Sequence, residues 1–399
     1  MNTNRYIVLK ATGANADVLG GRHGGVLGDA EALRDVEVTA EAATLGAREL
    51  NELSREPEVL RTAPVMPVML VQPKASAAEA EAQDGQGSTW GVEAVGALTS
   101  PFTGAGVTVA VLDSGIDSGH VAFDGKTIVQ KDFTGEGDGD NNGHGTHCAG
   151  TIFGGTVGGL RIGVAPGVSK ALIGKVLNGQ GRGTTEQILN GMWWAVQEGA
   201  NVVSMSIGFD FTEHVKILMS RGMKVEPATS VALSAYRENV RLFDALADLV
   251  RARSSMFANS ILIAAAGNES ERPDYEIATA PPAAADGFIS VGALQQMPGA
   301  ARKLGIASFS NSRPLVSAPG VSIKSAKAGG GLTSMNGTSM ATPHVAGVAA
   351  LWFEQIKRAN PGGSIRQLEG RLIGTASLDG IEDAERPNAG AGIVQAPTR

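Results

Sequence analysis

From Gly106 onward, short apolar runs alternate with helical patterns, and this alternation constrains the fold more than any other feature of the chain. The runs at 107–112, 171–177, 201–207, 261–266 and 288–292 are dominated by Val, Ile, Leu, Ala and Gly. A strand solvated on one face alternates polar with apolar residues, so runs like these fit strands covered on both faces. Between them, residues 186–198 space Ile188, Met192 and Val196 four apart, with Gly199 as a stop signal. Residues 229–253 repeat Leu233, Tyr236, Val240, Phe243, Ala247 and Val250 three and four apart, a stripe expected to face the core. Strands alternating with helices predict a parallel α/β sheet, with functional residues at the carboxyl ends of its strands.

The first 73 residues read differently. Residues 5–10 (RYIVLK) and 36–39 suggest two strands flanking a glycine-rich turn region at 20–25. Residues 44–55 read as a helix with Leu50 and Leu53 on one face, limited by Pro57; residues 59–71 return to extended chain interrupted by Pro64 and Pro67. This predicts a small α+β unit at 1–73. Residues 74–88 (KASAAEAEAQDGQGS) lack large apolar side chains and read as an exposed linker, the easiest place for a protease to cut. The remainder, 89–399, forms the larger domain; 399 residues with 43% hydrophobic content suit such a division.

With 33 Lys and Arg against 40 Asp and Glu, the net charge of -7 is spread along the chain and points to neither nucleic acid nor an anionic membrane as partner. Cys148 is the only cysteine, so stability must come from packing rather than intramolecular disulfides. Residues 1–10 contain no basic region followed by an apolar run, and no later stretch approaches about 18 uninterrupted apolar residues. A cytoplasmic location is expected, with export by an unadvertised route as the alternative.

Three segments carry chemistry. Residues 336–347 (NGTSMATPHVAG) place Ser339 in a small-residue turn, expected just before a helix beginning near Pro343, where a missing N–H is tolerated and backbone donors favour a developing oxyanion. A serine needs a base. His144, in 142–150 (NGHGTHCAG), has small neighbours that leave its imidazole room, with His147 three residues on. Asp113 ends the apolar run in 107–117 (VTVAVLDSGID) and could accept the second imidazole N–H, while nearby Asp117 reads as a turn residue.

These motifs, in the order Asp, His, Ser, resemble those of subtilisin-like serine proteases (peptidase family S8), and the similarity runs from about Trp90 to Gln395. The resemblance implies a three-layer α/β fold with a central mostly parallel sheet, preceded by a small α+β propeptide-like domain. It implies an endopeptidase that forms an acyl-enzyme on Ser339, with His144 as general base and Asp113 as its orienting carboxylate. Asn268, in 263–269 (IAAAGNE), is similar to the family's oxyanion-hole asparagine. Gly181, Arg182 and Gly183, with Ser204, Ser206, Ile207 and Gly208 (from SMSIG), resemble the segments that flank an extended peptide substrate, which would be added as a strand.

The N-terminal unit resembles the family's inhibitory propeptide. Residues 67–73 would then lie along the cleft between the two flanking segments, and the linker would contain or follow a self-processing cut. No cofactor is implied for catalysis. Many relatives hold a structural calcium in a loop after the histidine helix, but residues 154–161 here lack Asp and Asn. Glu136, Asp138 and Asp140 offer oxygen ligands for a hard cation, or form a solvated charged loop.

Two other classes of function remain as alternatives: a catalytically silent relative used for binding, and a metal-dependent hydrolase built on His144 and His147. The second lacks an intervening Glu and an evident third ligand. Cys148 reads as a small buried hydrophobe, or as a site of thiol-reagent sensitivity. An insertion at 209–259 reads as packing extension or specificity element. Glu269, Glu271, Asp274 and Glu276 make the loop after Asn268 acidic, which suggests a preference for a basic residue before the scissile bond.

Overall fold

The computed structural model describes residues 4–13, 36–71, 84–209, 211–254, 260–297, 303–360, 363–383 and 385–399. The expected turn region at 20–25 and most of the 74–88 linker lie outside these residues. In the N-terminal unit, β1 (Asn4–Thr12) is the middle strand of an antiparallel sheet with β2 (Glu37–Leu45) and β3 (Val59–Pro64). Helix α1 (Ala47–Leu53) starts later than its pattern suggested, because residues up to Leu45 are held in β2. Strand β4 (Pro67–Leu70) leaves this sheet and pairs with the larger body.

The body contains α2 (Trp90–Ala94), β5 (Thr108–Asp113), β6 (Thr127–Asp132), α3 (His144–Phe153) and a short hairpin of β7 (Thr156–Val157) and β8 (Leu160–Arg161). There follow β9 (Lys170–Lys175), β10 (Arg182–Thr184), α4 (Thr185–Gln197), β11 (Val202–Met205), β12 (Ile207–Gly208), α5 (Phe211–Ser220) and α6 (Val225–Ser254). The last third comprises β13 (Ile261–Ala265), β14 (Phe288–Gln296), β15 (Leu304–Ile306), β16 (Val316–Pro319), the hairpin β17 (Ile323–Ala326) to β18 (Leu332–Met335), α7 (Thr338–Ala359) and α8 (Ile365–Gly374).

Eight strands form the central sheet in the order β15-β14-β13-β11-β5-β9-β6, with β16 also pairing β14; all pairings are parallel except β14 with β15. Both faces are covered, as the unbroken apolar runs require. Along β5, Val109 and Val111 face a core shared with Cys148, Ala149 and Ile152 of α3 and Val345 of α7, whereas Ala110 and Leu112 face Ile188 and Met192 of α4 and Phe243 of α6. Each fully buried Val, Ile, Leu, Met or Phe among them contributes about 1.5–3 kcal/mol relative to leaving it in water, and the alanines less. The protein is therefore an α/β fold with helices on both faces of a mostly parallel sheet.

The second core extends into the N-terminal unit through Ile7, Leu9 and Val38. The insertion supplies α5 and α6. In α6, Phe243, Ala247 and Val250 are buried, but Leu233 is 58% exposed, contrary to the expected stripe. The helix begins at Val225, four residues before the expected start, and its first half is largely exposed.

Candidate active site

Three adjacent strand ends converge. Asp113 is the last residue of β5, Ser206 follows β11, and Asn268 lies three residues beyond β13, so all sit at the carboxyl edge of the sheet. His144 opens α3, and its Nδ1 donates to Asp113 Oδ1 at 2.8 Å, with Oδ2 at 3.0 Å. Both side chains are fully shielded from solvent. Burial alone would lower the imidazole pKa, but the adjoining Asp113 carboxylate outweighs it and holds His144 well above its ordinary 6.5.

The start of α3 is organised by Asp140. Its carboxylate accepts from the backbone N–H groups of Gly143 (2.8 Å) and Thr146 (2.9 Å) and from Ser114 Oγ (2.9 Å), while Ser114 Oγ accepts from Gly145 N–H at 3.0 Å. One carboxylate thus satisfies first-turn donors and ties the His144 helix to the end of β5. Burial would raise the Asp140 pKa, but these hydrogen bonds hold it below its usual value. Neighbouring Glu136 accepts from Gly179 N–H at 2.9 Å and lies 3.3 Å from Lys175 Nζ. Asp140 and Glu136, considered as cation ligands from the sequence, are both engaged in internal contacts.

Ser339 is the second residue of α7, which begins at Thr338; the expected start near Pro343 is corrected. Pro343 lies inside the helix and has no N–H to give the carbonyl of Ser339. Ser206 Oγ donates to that carbonyl at 3.0 Å and Cys148 Sγ at 3.5 Å, so the helix continues through the proline without an orphaned acceptor. Burial pushes the Cys148 thiol pKa up and keeps it a neutral donor. As the second helical residue, Ser339 has an N–H with no intrahelical partner of its own. Asn268 Oδ1 accepts from Thr338 N–H and Oγ1, both at 2.9 Å, and a Cβ on Gly337 would come 3.0 Å from Asn268 Nδ2. The amide nitrogen therefore sits against the turn that precedes Ser339.

The cleft beside Ser339 is filled by the N-terminal unit's own chain. β4 is the middle strand between β10 and β12, with Arg182 facing Met69, Gly183 facing Val68, Ile207 facing Leu70 and Gly208 facing Met69. Leu70 N–H donates to Gly181 O at 2.8 Å. Glycine suits two of these wall positions: Gly181 has φ +70°, and at Gly208 a Cβ would come 3.0 Å from Val71 Cγ2, a tight contact. Ser339 Oγ donates to Val71 O at 3.0 Å. His144 Nε2 has no hydrogen-bond partner among the described residues.

The structure thus gathers Asp113, His144, Ser339 and Asn268 at one end of a cleft walled by Gly181, Arg182, Gly183, Ser206, Ile207 and Gly208. Ser204 stands apart from the cleft wall: it lies within β11, paired with Val111 and Ile263, and serves the sheet. His147 Nε2 donates to Ile323 O at 2.8 Å, away from any pair with His144. Among the described residues, the His, Cys, Asp and Glu side chains close enough to share a metal ion are Asp113, His144 and Cys148, with His147 not among them. Sequence reasoning missed Asp140 as a helix cap and Ser206 as the replacement donor for Pro343. The proline five positions after the helix start was the available signal for the second.

A hydroxyl held against the carbonyl of an extended strand, an imidazole on the neighbouring helix fixed by a carboxylate, and an amide at the turn before the hydroxyl are the parts that acyl transfer needs. Comparison with known proteins agrees. The subtilase family (peptidase S8) matches residues 104–393. Subtilisin DY of Bacillus licheniformis is 36% identical over 282 residues, 69% of this chain and 85% of that protein. An intracellular serine protease of Paenibacillus polymyxa is 32% identical, over 73% of this chain and 84% of that protein. A subtilisin-like protease 6 of Trichophyton verrucosum is 34% identical, but the match spans 55% of its length. Among solved structures, a cold adapted subtilisin-like serine proteinase superposes with TM-score 0.53 at 30% identity, covering 75% of this chain and 92% of that one.

Proposed function

The chain belongs to the subtilase family of serine proteases, and from that premise we propose that it hydrolyses internal peptide bonds through Ser339, His144 and Asp113, with its own N-terminal unit as an intramolecular inhibitor. His144 accepts the Ser339 proton as the hydroxyl attacks, and Asp113 holds the tautomer and stabilises the imidazolium that forms. Asn268 Nδ2 and the Ser339 N–H receive the oxyanion of the tetrahedral intermediate. Water then releases the acyl group. For attack the Ser339 hydroxyl must turn from the Val71 carbonyl to the imidazole.

The observation that carries this reading is the buried, hydrogen-bonded Asp113–His144 pair, joined through Cys148 to Ser339, whose hydroxyl touches the carbonyl of an extended strand. Peptide substrates would bind as β4 does, as a third strand between β10 and β12. The inhibitor reading rests on the same strand and on the docking of its unit: Asn190 exchanges two 3.0 Å hydrogen bonds with the backbone of Ala40 in β2, and Asn239 of α6 donates to Pro64 O at 3.0 Å. The insertion therefore packs against the sheet and touches the N-terminal unit at once. Self-processing would place a cut near the 74–88 linker. No helix among the described residues is long and apolar enough to cross a membrane.

The test is hydrolysis of an unfolded protein substrate by wild type and Ser339→Ala, with and without a chelator. Activity lost in Ser339→Ala and kept with chelator is the expected outcome. Equal activity of the two proteins would overturn the assignment.

A further inference from the structure

The register of β4 singles out one peptide bond. A serine that attacks a carbonyl carbon must lie against that carbonyl, and Ser339 Oγ meets Val71 O at 3.0 Å. Among the described residues, the other carbonyl that Ser339 Oγ meets is Ser206 O at 3.4 Å, which lies between β11 and β12 on the cleft wall itself. The strand is held in register on both sides by the Leu70–Gly181 hydrogen bond and the pairings of Met69 with Arg182 and Gly208. A shift by one residue would turn every side chain of the strand to the opposite face. In the observed register Val71, Leu70 and Val68 are buried at 3%, 4% and 0% exposure.

Three carboxylates of the acidic loop after Asn268 make contacts outside β4. Glu269 accepts from Asn311 Nδ2 at 2.7 Å, Glu276 pairs with Arg272 and accepts from Asn388 Nδ2 at 2.9 Å, and Glu271 is hydrogen-bonded to Tyr275. What occupies the pocket is an uncharged isopropyl group, with Gly208 leaving the space.

Resting on the protease reading above, we propose that the bond this enzyme cuts in its own chain is Val71–Gln72, and that the pocket holding Val71 selects a short aliphatic residue over a basic one in other substrates. Ser339 Oγ bonds to the Val71 carbonyl carbon as His144 takes the hydroxyl proton. The Val71–Gln72 C–N bond then breaks, and His144 returns the proton to the Gln72 amine. Water hydrolyses the Val71 ester, which frees Ser339 and leaves a carboxylate on Val71. The cut leaves Gln72 and Pro73 ahead of Lys74, so the whole 74–88 segment stays on the catalytic part as its new N-terminal arm. That arm is anchored where Asp84 accepts from Trp90 N–H at 3.2 Å and pairs with Lys324 at 2.5 Å.

A time course of intact masses on the full chain, with sequencing of both fragments, tests the bond. The expected first products are a fragment ending at Val71 and a partner beginning at Gln72, its terminus free or cyclised, with no cut in Ser339→Ala. Val71→Ala should be cut at the same bond, and Val71→Asp at least about tenfold more slowly. A first cut at any other bond, or an unchanged rate in Val71→Asp, overturns the assignment. For the pocket, peptides carrying Val-Met-Leu-Val-Gln and Val-Met-Leu-Arg-Gln are compared. At least about tenfold faster cleavage of the first is expected, and equal rates overturn the selectivity. Ser339-dependent hydrolysis of an added substrate alongside a cut elsewhere sinks this inference alone; absence of such hydrolysis sinks the protease reading with it.

Discussion

Ser206 Oγ donates to the carbonyl oxygen of Ser339 at 3.0 Å, taking the place of the backbone N–H that Pro343 lacks. Cys148 Sγ shares that acceptor from the His144 helix. One carbonyl therefore ties the turn that carries Ser339 to the cleft wall and to the His144 helix. Ser339, His144 and the cleft are positioned together.

Ser206→Ala removes the stronger of these donors and leaves a buried carbonyl with only a thiol. In a Ser339→Ala background, where self-digestion cannot interfere, urea unfolding should show a loss of about 1–3 kcal/mol. Cys148→Ser, which keeps a donor, should cost less. Equal stability of Ser206→Ala and the background protein would show that the contact does not support the turn.

The acid limb of self-processing should lie above the ordinary imidazole value of 6.5, because His144 is raised in the state where β4 fills the cleft. The sign follows from the base role: a raised pKa keeps the imidazole protonated to higher pH, so the competent neutral form appears later. First-order processing rates of the full chain measured against pH check this. Asp113→Asn should slow processing on the order of 10⁴-fold and move the limb downward; a limb unmoved in that variant would remove Asp113 from the account.

On the proposed mechanism Asn268→Ala removes one oxyanion donor and should lower kcat by roughly 10²–10³ with a smaller change in KM. The same side chain accepts two 2.9 Å hydrogen bonds from Thr338, so stability should fall as well. Asn268→Asp keeps the acceptor and loses the donor. Turnover lost in both variants, with stability lost mainly in the alanine, separates the two roles.

Acid stability should depend on two buried histidines. Burial pushes the pKa of His147 down to about 3 and that of His344 to about 4. Each stays neutral in the fold while the unfolded chain takes up a proton below about 6.5, so stability falls as pH drops from that value toward the folded pKa. Near pH 5 each contributes a slope of up to about 1.4 kcal/mol per pH unit. In the Ser339→Ala protein, His344→Gln should reduce the slope of unfolding free energy against pH by about one proton. An unchanged slope would contradict the burial argument.

Much of this was legible in the sequence for definite reasons. The parallel strands could be placed because both of their faces are covered, which removes polar residues from runs such as 107–112. Asp113, His144, Ser339 and Asn268 stand out as candidates because their motifs resemble a family's signatures, and these motifs fall at strand ends and helix starts. Side-chain direction and register were not legible. The stripe on α6 included Leu233 because periodicity cannot tell how far a helix overhangs its core. Ser204 was grouped with the cleft because a five-residue motif spans the end of one strand and the start of another. Pro343 suggests a helix start because its usual position there is the first turn, and the donors that replace its N–H come from residues 137 and 195 positions earlier. Val71 could not be singled out within 67–73, since a strand's register is set by its partners.

The most direct test of the central claim is to treat the enzyme with a tagged fluorophosphonate, digest it, and locate the adduct by mass spectrometry, with wild type, His144→Ala and Ser339→Ala in parallel. A single adduct on Ser339, strongly reduced in His144→Ala and absent in Ser339→Ala, is expected once the N-terminal unit has been released. An adduct on another residue, or none on processed wild-type enzyme, would contradict the assignment of Ser339 as nucleophile.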